Sequence, residues 1–435
     1  MTARWTLPQG DCRLTDARIP ASLTKGGSDA APDAEGFVRR DLWLTGGRVA
    51  FDGAPDAPAV SLRGAIVFPA FVDCHTHLDK GHIWPRAANP DGTFMGALDT
   101  VQADREANWS ESDVRARMTF ALACAEAHGT GAIRTHLDSI GKQTAISWGV
   151  LREVRQDWRD RITIQAAALT PVEMVGEDEF VRVADEVARS GGVLGTVTYP
   201  VPDLDRRLDI FFRLAAERGL NADFHVDETE DPDSRTLRAI ADAVLRSRYQ
   251  GAVLCGHCCS LAVQPDDYAC ETMDRVAEAG LNIVSLPMCN LYLQDRHAGR
   301  TPRWRGVTLA HELKARGVRV AFASDNTRDP FYAYGDLDML EVLREATRIA
   351  HLDHPRGDWP AACARLPAEA MGIDAGRVAN GAPADLVIFP ARSWTELLAR
   401  PHADRLVIRS GRASAARPPD YAELDALFEP VTEPA

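Results

Sequence analysis

The chain has no run of the roughly 20 apolar residues that a membrane-spanning helix requires. Its start, MTARWTLPQGD, lacks the apolar core of a signal peptide, so a cytoplasmic protein is expected. Positive charge is also in short supply. The 49 Lys and Arg stand against 63 Asp and Glu, a net charge of −14. Binding to phosphate needs a basic face, so neither nucleic acid nor an anionic membrane fits as a partner. No Gly-x-Gly-x-x-Gly follows an apolar strand pattern, which disfavours a dinucleotide fold. The paired His-x-Glu and Pro-Cys-x-x-Cys signature of one zinc enzyme fold is missing too. The nine cysteines are odd in number, and Cys124, Cys255, Cys289 and Cys363 fall in apolar stretches, as reduced thiols do. Cys255-Gly256-His257-Cys258 spells C-x-x-C, but it completes a strand pattern instead of opening a helix, so a redox role is set aside.

What is present has a regular beat. Apolar strand patterns begin near residues 131, 161, 192, 221, 251, 281 and 318. The step is about 30 residues, the size of a strand–helix unit. Amphipathic helical patterns fill the gaps, among them 111–127 behind the cap Ser110, 204–218, 235–246 and 337–350. With an apolar strand over 65–77 the count reaches eight, which favours an α/β protein of the (β/α)8 TIM-barrel type. The two chain ends differ from this. Residues 1–36 read as an irregular arm, whereas 42–50, 384–389 and 406–413 read as short strands and glycine turns. Neither group is a stable sheet alone, so one small flanking β domain built from both ends is expected. The resulting division is 1–66, 67–372 for the barrel, and 373–435. Residues 81–109 interrupt the beat and form a candidate substrate lid.

In such a barrel the C-terminal strand ends converge on one face. Those ends carry His75 and His77, His136, His225 with Glu228, His257, and Asp325. Five of the twelve histidines thus sit at strand ends, while His82, His128, His297, His311, His351, His354 and His402 fall on loops or helices and read as structural. Neutral imidazoles and a carboxylate hold a divalent ion with room left for water. The ion brings the pKa of that water from ~16 towards ~7. Asp325 could take the water's proton as well as bind. Glu228 lies three residues after His225, so the strand must end near Asp227 for Glu228 to reach the pocket and carry protons to substrate. His257 is placed to hydrogen-bond the attacking oxygen.

The motifs match a known pattern one by one. They are Pro69-Ala-Phe-Val-Asp-Cys-His75-Thr-His77-Leu-Asp79, Arg134-Thr-His136-Leu-Asp138, His225-Val-Asp-Glu228, Gly256-His257, Asn290-Leu-Tyr-Leu-Gln294 and Ser324-Asp325-Asn326 leading to Asp329-Pro-Phe-Tyr332. Over nearly its whole length the chain resembles the amidohydrolase superfamily, in its cytosine deaminase-like branch. The resemblance implies His75, His77, His225 and Asp325 as ligands of one divalent ion, zinc or iron with manganese as a third option. It implies catalytic roles for Glu228 and His257 beside that of Asp325, leaves His136 either behind the ligands or in the core, and suggests a homo-oligomer. Binuclear relatives bridge two ions with a lysine on strand 4, but that stretch here, Gly195 to Pro200, contains none, which implies a single ion.

Two departures bear on substrate. The glutamine that reads the pyrimidine amide in the cytosine enzymes is absent from Leu169-Thr170-Pro171-Val172-Glu173, and Asn326 stands where they carry a second aspartate. Unpaired polar edges cost heavily in kcat/KM, so cytosine itself is disfavoured. Trp84, Asn290, Leu293, Asn326, Phe331 and Tyr332 are candidate substrate-binding residues. The expected activity is hydrolytic deamination of an amino-substituted nitrogen heterocycle, with ammonia released. The alternatives are removal of an alkylamine, as in N-isopropylammelide aminohydrolase-like enzymes, and hydrolysis of a cyclic amide.

Overall fold

The computed structural model describes residues 5–25, 31–353 and 358–428; His354 lies outside them. Eight parallel strands carry the centre of the chain. They are β1 (Phe71–Thr76), β2 (Thr130–Asp138), β3 (Thr163–Leu169), β4 (Leu194–Thr198), β5 (Ala222–Val226), β6 (Val253–His257), β7 (Asn282–Ser285) and β8 (Arg319–Phe322). β1–β3 form one parallel sheet, and β4–β8 a second. Parallel bridges from Ala167 to Val193 and from Pro171 to Val197 join β3 to the β4 strand region, and another from Thr76 to Asp325 joins the far edges. Helices alternate with the strands as the periodicity predicts: Glu111–His128, Lys142–Trp158, Asp178–Arg189, Leu204–Glu217, Thr236–Ser247, Asp266–Glu278, Ala310–Ala315 and Met339–Ala350. The helix Glu111–His128 starts as expected, with Ser110 accepting from the Asp113 N–H, and it stops at Gly129 in the left-handed region, φ 95°. Every residue of β1, β5, β6 and β7 is buried, which is why these segments read as unbroken apolar runs.

A mixed sheet of eight strands draws on both chain ends. Its path runs through Arg412–Ala413, Leu406–Arg409, Leu386–Phe389, Ile66–Pro69, Cys12–Pro20, Phe37–Thr45 and Arg48–Ala50, with Ala59–Ser61 beside Cys12–Pro20. Val67 faces this sheet's own core with Leu14, Leu42, Ile388 and Ile408, while Ile66 and Phe68 face the central core.

Two expectations needed correction. The strand over 65–77 is two strands. Ala70 donates to the Asp385 carbonyl at 2.8 Å and Phe71 to Gly129 at 3.0 Å, so the chain changes sheets between them. The Cys12–Pro20 segment is a strand, and no irregular arm. Cys12, Leu14, Ala17 and Ile19 are buried, but a bulge between Leu14 and Ala17, with Asp16 at φ 62°, shifts the alternation by one and hides it from a period-two reading.

Candidate active site

The strand ends assemble one buried cluster. His75 and His77 come from the end of β1, His225 from β5, and Asp325 from just beyond β8. His75 Nε2 lies 3.1 Å from His225 Nε2, and His225 Nε2 lies 3.2 Å from His77 Nε2. Asp325 Oδ1 is 3.2 Å from His77 Nε2 and 3.5 Å from His75 Nε2. The Asp325 N–H donates to the His75 carbonyl at 2.9 Å, which fixes the two loops against each other. A residue at φ 66° is needed for that turn, an uncommon conformation for aspartate. Gly256 gives the His75 ring its room. A Cβ there would stand 2.8 Å from His75 Cε1.

Among the described residues the facing Nε2 atoms meet only one another and Asp325 Oδ1. The Nδ1 atoms of His75, His77 and His225 and both Asp325 oxygens are buried without a hydrogen-bond partner among the described residues. Burial first, then neighbouring imidazoles or Lys80, holds all three histidines well below the ordinary value of 6.5, so they are neutral. Burial, followed by Asp329, pushes Asp325 up to about 8. Bonds of about 2.0–2.1 Å to a tetrahedral ion place neighbouring donors about 3.3–3.4 Å apart, close to the spacings here. The four groups therefore fit a divalent cation. His136 stands within reach, but its Nε2 is 3.0 Å from Asp223 Oδ1 and its Nδ1 is 3.3 Å from the Thr76 carbonyl. Its ring packs 4.0 Å from that of His75.

Beside the cluster stand Glu228 and His257. β5 ends at Val226, and Asp227 adopts φ 47°, the break that a functional Glu228 demands. The Asp227 carboxylate holds that break in place. It accepts from Ser234 Oγ and Thr236 Oγ1, both at 2.7 Å, and from the Thr236 and Leu237 N–H groups, both at 3.0 Å. Glu228 Oε1 lies 3.3 Å from His257 Nδ1. Burial, then the charge of Asp325, raises Glu228 well above the ordinary carboxyl range. Burial lowers His257 to about 3.

The candidate substrate residues divide. Asn290 is fully buried and touches Glu228 and His257 directly. Asn326 is tied to Asp329 through Nδ2 at 2.7 Å. Leu293 and Phe331 are buried, and the Phe331 ring lies 5.4 Å from Phe94 and 5.7 Å from the Lys80 ammonium. Trp84 is half-buried on the loop after β1, its N–H bonded to the Arg328 carbonyl at 2.9 Å. Tyr332 stacks edge-on with Tyr292 and Tyr334 and borders a surface cavity of about 450 Å³, none of whose lining residues belongs to the histidine cluster.

Residues 81–109 contain a helix, Phe94–Asn108. Arg86 clamps it through Asp104 at 2.8 Å and Asp113 at 2.5 Å, and Asn89 bonds the Pro330 carbonyl at 3.0 Å. Sequence reasoning quoted Gln294 and Gly256 only as motif positions and gave neither them nor Lys80 a role in the site. Lys80 is buried and pairs with Asp138 Oδ1 at 2.7 Å, while Arg105 takes Oδ2 at 2.7 Å. The signal available was the Leu-Asp-Lys that follows His-x-His, too short to place a lysine against strand 2.

The sequence profile of the amidohydrolase family matches residues 123–415. The pterin deaminase of Rhizobium rhizogenes (strain K84) is 54% identical over 95% of this chain and 96% of its own length. The chain belongs to the amidohydrolase family. As an amidohydrolase it is a hydrolase of C–N bonds other than peptide bonds. It is also similar to N-isopropylammelide isopropyl amidohydrolase of Pseudomonas sp. (strain ADP), 24% identical over 67% of this chain and 70% of that one. The crystal structure of a 5-methylcytosine deaminase from Klebsiella pneumoniae, liganded with 5-fluorocytosine, superposes with a TM-score of 0.77 at 24% identity, covering 93% and 97% of the two chains. An adenosine deaminase from Xanthomonas campestris with bound zinc gives a TM-score of 0.67 at 17% identity, covering 95% and 97%. These two likenesses establish a shared fold. No helix among the described residues of this amidohydrolase is long and apolar enough to cross a membrane.

Proposed function

We propose that the chain is a hydrolytic deaminase of a pterin-type heterocycle, converting the 2-amino group of the ring to an oxo group with release of ammonia. The observation that carries the substrate class is the 54% identity to a pterin deaminase over nearly both full lengths. The relative that removes isopropylamine is far more distant, at 24% over two-thirds of the chain. The bridges that join β3 to the β4 region and Thr76 to Asp325 support a closed (β/α)8 barrel, with the mixed sheet as a flanking domain and boundaries near 66 and 372. Nine free cysteines, eight of them buried, support a reducing, cytoplasmic setting. A homo-oligomer completes the reading.

In this reading His75, His77, His225 and Asp325 hold one divalent ion, zinc or iron by the chemistry of the donors. When bound, the ion supplies a water acidic enough to act as nucleophile at neutral pH. The protein's own groups do the rest. Glu228 takes one proton from the attacking water and delivers it to the ring nitrogen beside the carbon under attack, then passes the second, from the added hydroxyl, to the departing amine. Its raised proton affinity suits a group that must hold a proton in each of the two transfers. His257 donates to the oxygen as charge develops on it. The balance is ring N=C–NH2 plus water giving ring HN–C=O plus ammonia.

The test is ammonia release from pterin by the zinc-loaded enzyme, with Glu228→Gln as control. Equimolar ammonia and oxo product, abolished in the control, is expected. Full metal occupancy with no turnover of any aminopteridine would overturn the substrate assignment.

A further inference from the structure

Asn290 sits where a substrate wall was expected, yet its contacts are to the proton-handling pair. It is fully buried on the helix Pro287–Leu293, which follows β7. Its Nδ2 lies 3.2 Å from Glu228 Oε1 and 3.0 Å from His257 Nδ1. An amide nitrogen carries two hydrogens, and the two acceptors match them. In this orientation Oδ1 is buried without a partner among the described residues, whereas the opposite one would leave both hydrogens without those acceptors. One turn further, Gln294 Nε2 donates to the Glu228 carbonyl at 3.3 Å, so the same segment holds both the backbone and the side chain of Glu228. The helix is itself tied to the Asp325 loop, for the Cys289 thiol lies 3.8 Å from the carbonyls of Ser324 and Asn326.

We infer that Asn290 is a positioning residue that clamps Glu228 and His257 together and fixes the tautomer of His257. With Nδ1 occupied as acceptor, the proton of the neutral ring resides on Nε2. That nitrogen is buried and has no partner among the described residues. The His257 ring lies 5.0 Å from the ring of His225 and 5.2 Å from that of His75, so it is part of the same cluster. His257 therefore presents an N–H to the reacting oxygen and no lone pair, which makes it a donor and not a fifth ligand. The same bond holds Glu228 Oε1 at a fixed distance from that donor, so the group that moves the proton and the group that steadies the oxygen share one anchor. This role rests on Glu228 being the proton carrier of the proposed reaction.

The experiment pairs kinetics with a measurement that needs no substrate. Asn290→Leu keeps the volume and removes the donors; Asn290→Ala is the second variant should leucine pack badly. In the zinc-loaded enzyme, kcat for pterin is expected to fall about 10- to 100-fold with KM changed by less than about threefold and zinc still stoichiometric. Histidine-selective 15N NMR of the zinc-loaded protein, with His257 assigned by loss of its signal in His257→Gln, should show the Nε2–H tautomer in the parent and a mixture in the variants. A parent with Nδ1–H, a kcat within about twofold of the parent in both variants, or a loss confined to KM would each overturn the assignment. A parent inactive on pterin but with the Nε2–H tautomer lost in the variants would sustain the clamp and count against the substrate instead.

Discussion

His75 makes its contacts because Gly256 has no side chain. An alanine there would press on Cε1 at 2.8 Å and Nδ1 at 3.1 Å, so the ring must turn away from His225 and Asp325. Gly256→Ala is expected to lower zinc affinity by about 10- to 100-fold, as changes around metal ligands do, and competition with a chelator measures it. Glu228→Gln keeps the hydrogen-bonding shape but cannot shuttle a proton. Its kcat should drop about 10²- to 10⁴-fold while zinc content stays at one per chain by elemental analysis. At this scale much of the site was legible. His75, His77, His225, Glu228, His257 and Asp325 stand out because each ends a strand pattern, and the structure brings all six together. Gly256, Gln294 and the Lys80–Asp138 pair were not legible, because their significance lies in which strands become neighbours and in how closely.

Among the elements, the sharp turns at the strand ends matter most. Asp227, His257, Cys258 and Asp325 all have positive φ, so three strands break at or beside the candidate site residues. Periodicity locates such strands but is blind to the break itself. At the N-terminus the same blindness hid a whole strand behind the bulge at Asp16. The helix Phe94–Asn108 was unread for another reason: its buried face is small, only Ala97, Val101 and Asp104, and it depends on Arg86 for its attachment. Arg86→Met should loosen that helix, because Asp104 is left buried without a cation, bonded only by Asn108 and Trp109, while Asp113 keeps Arg117. Amide hydrogen exchange over 94–108 should rise at least tenfold, on the order of 1.4 kcal/mol of local stability, with KM increased more than kcat is reduced. Unchanged exchange would show that the helix holds by packing alone.

For the whole molecule, both chain ends meet in one sheet, and the later end contributes inner strands. Leu386–Phe389 lies between Ile66–Pro69 and Leu406–Arg409. Truncation after residue 400 would strip one neighbour from a fully buried strand and leave an apolar edge open to pairing. Such a chain is expected to be recovered mainly as aggregate in size-exclusion chromatography, even though every candidate catalytic residue lies upstream. The central claim is that this architecture aims one divalent ion and Glu228 at the amino-bearing carbon of a pterin. The most direct measurement is single-pot turnover of pterin by enzyme loaded with one zinc per chain, following ammonia and the ring's ultraviolet spectrum together. The account predicts ammonia and the 2-oxo pteridine in equal amounts, with the loss of both in Glu228→Gln. A ring-opened product, or no product from a fully loaded enzyme, would contradict it.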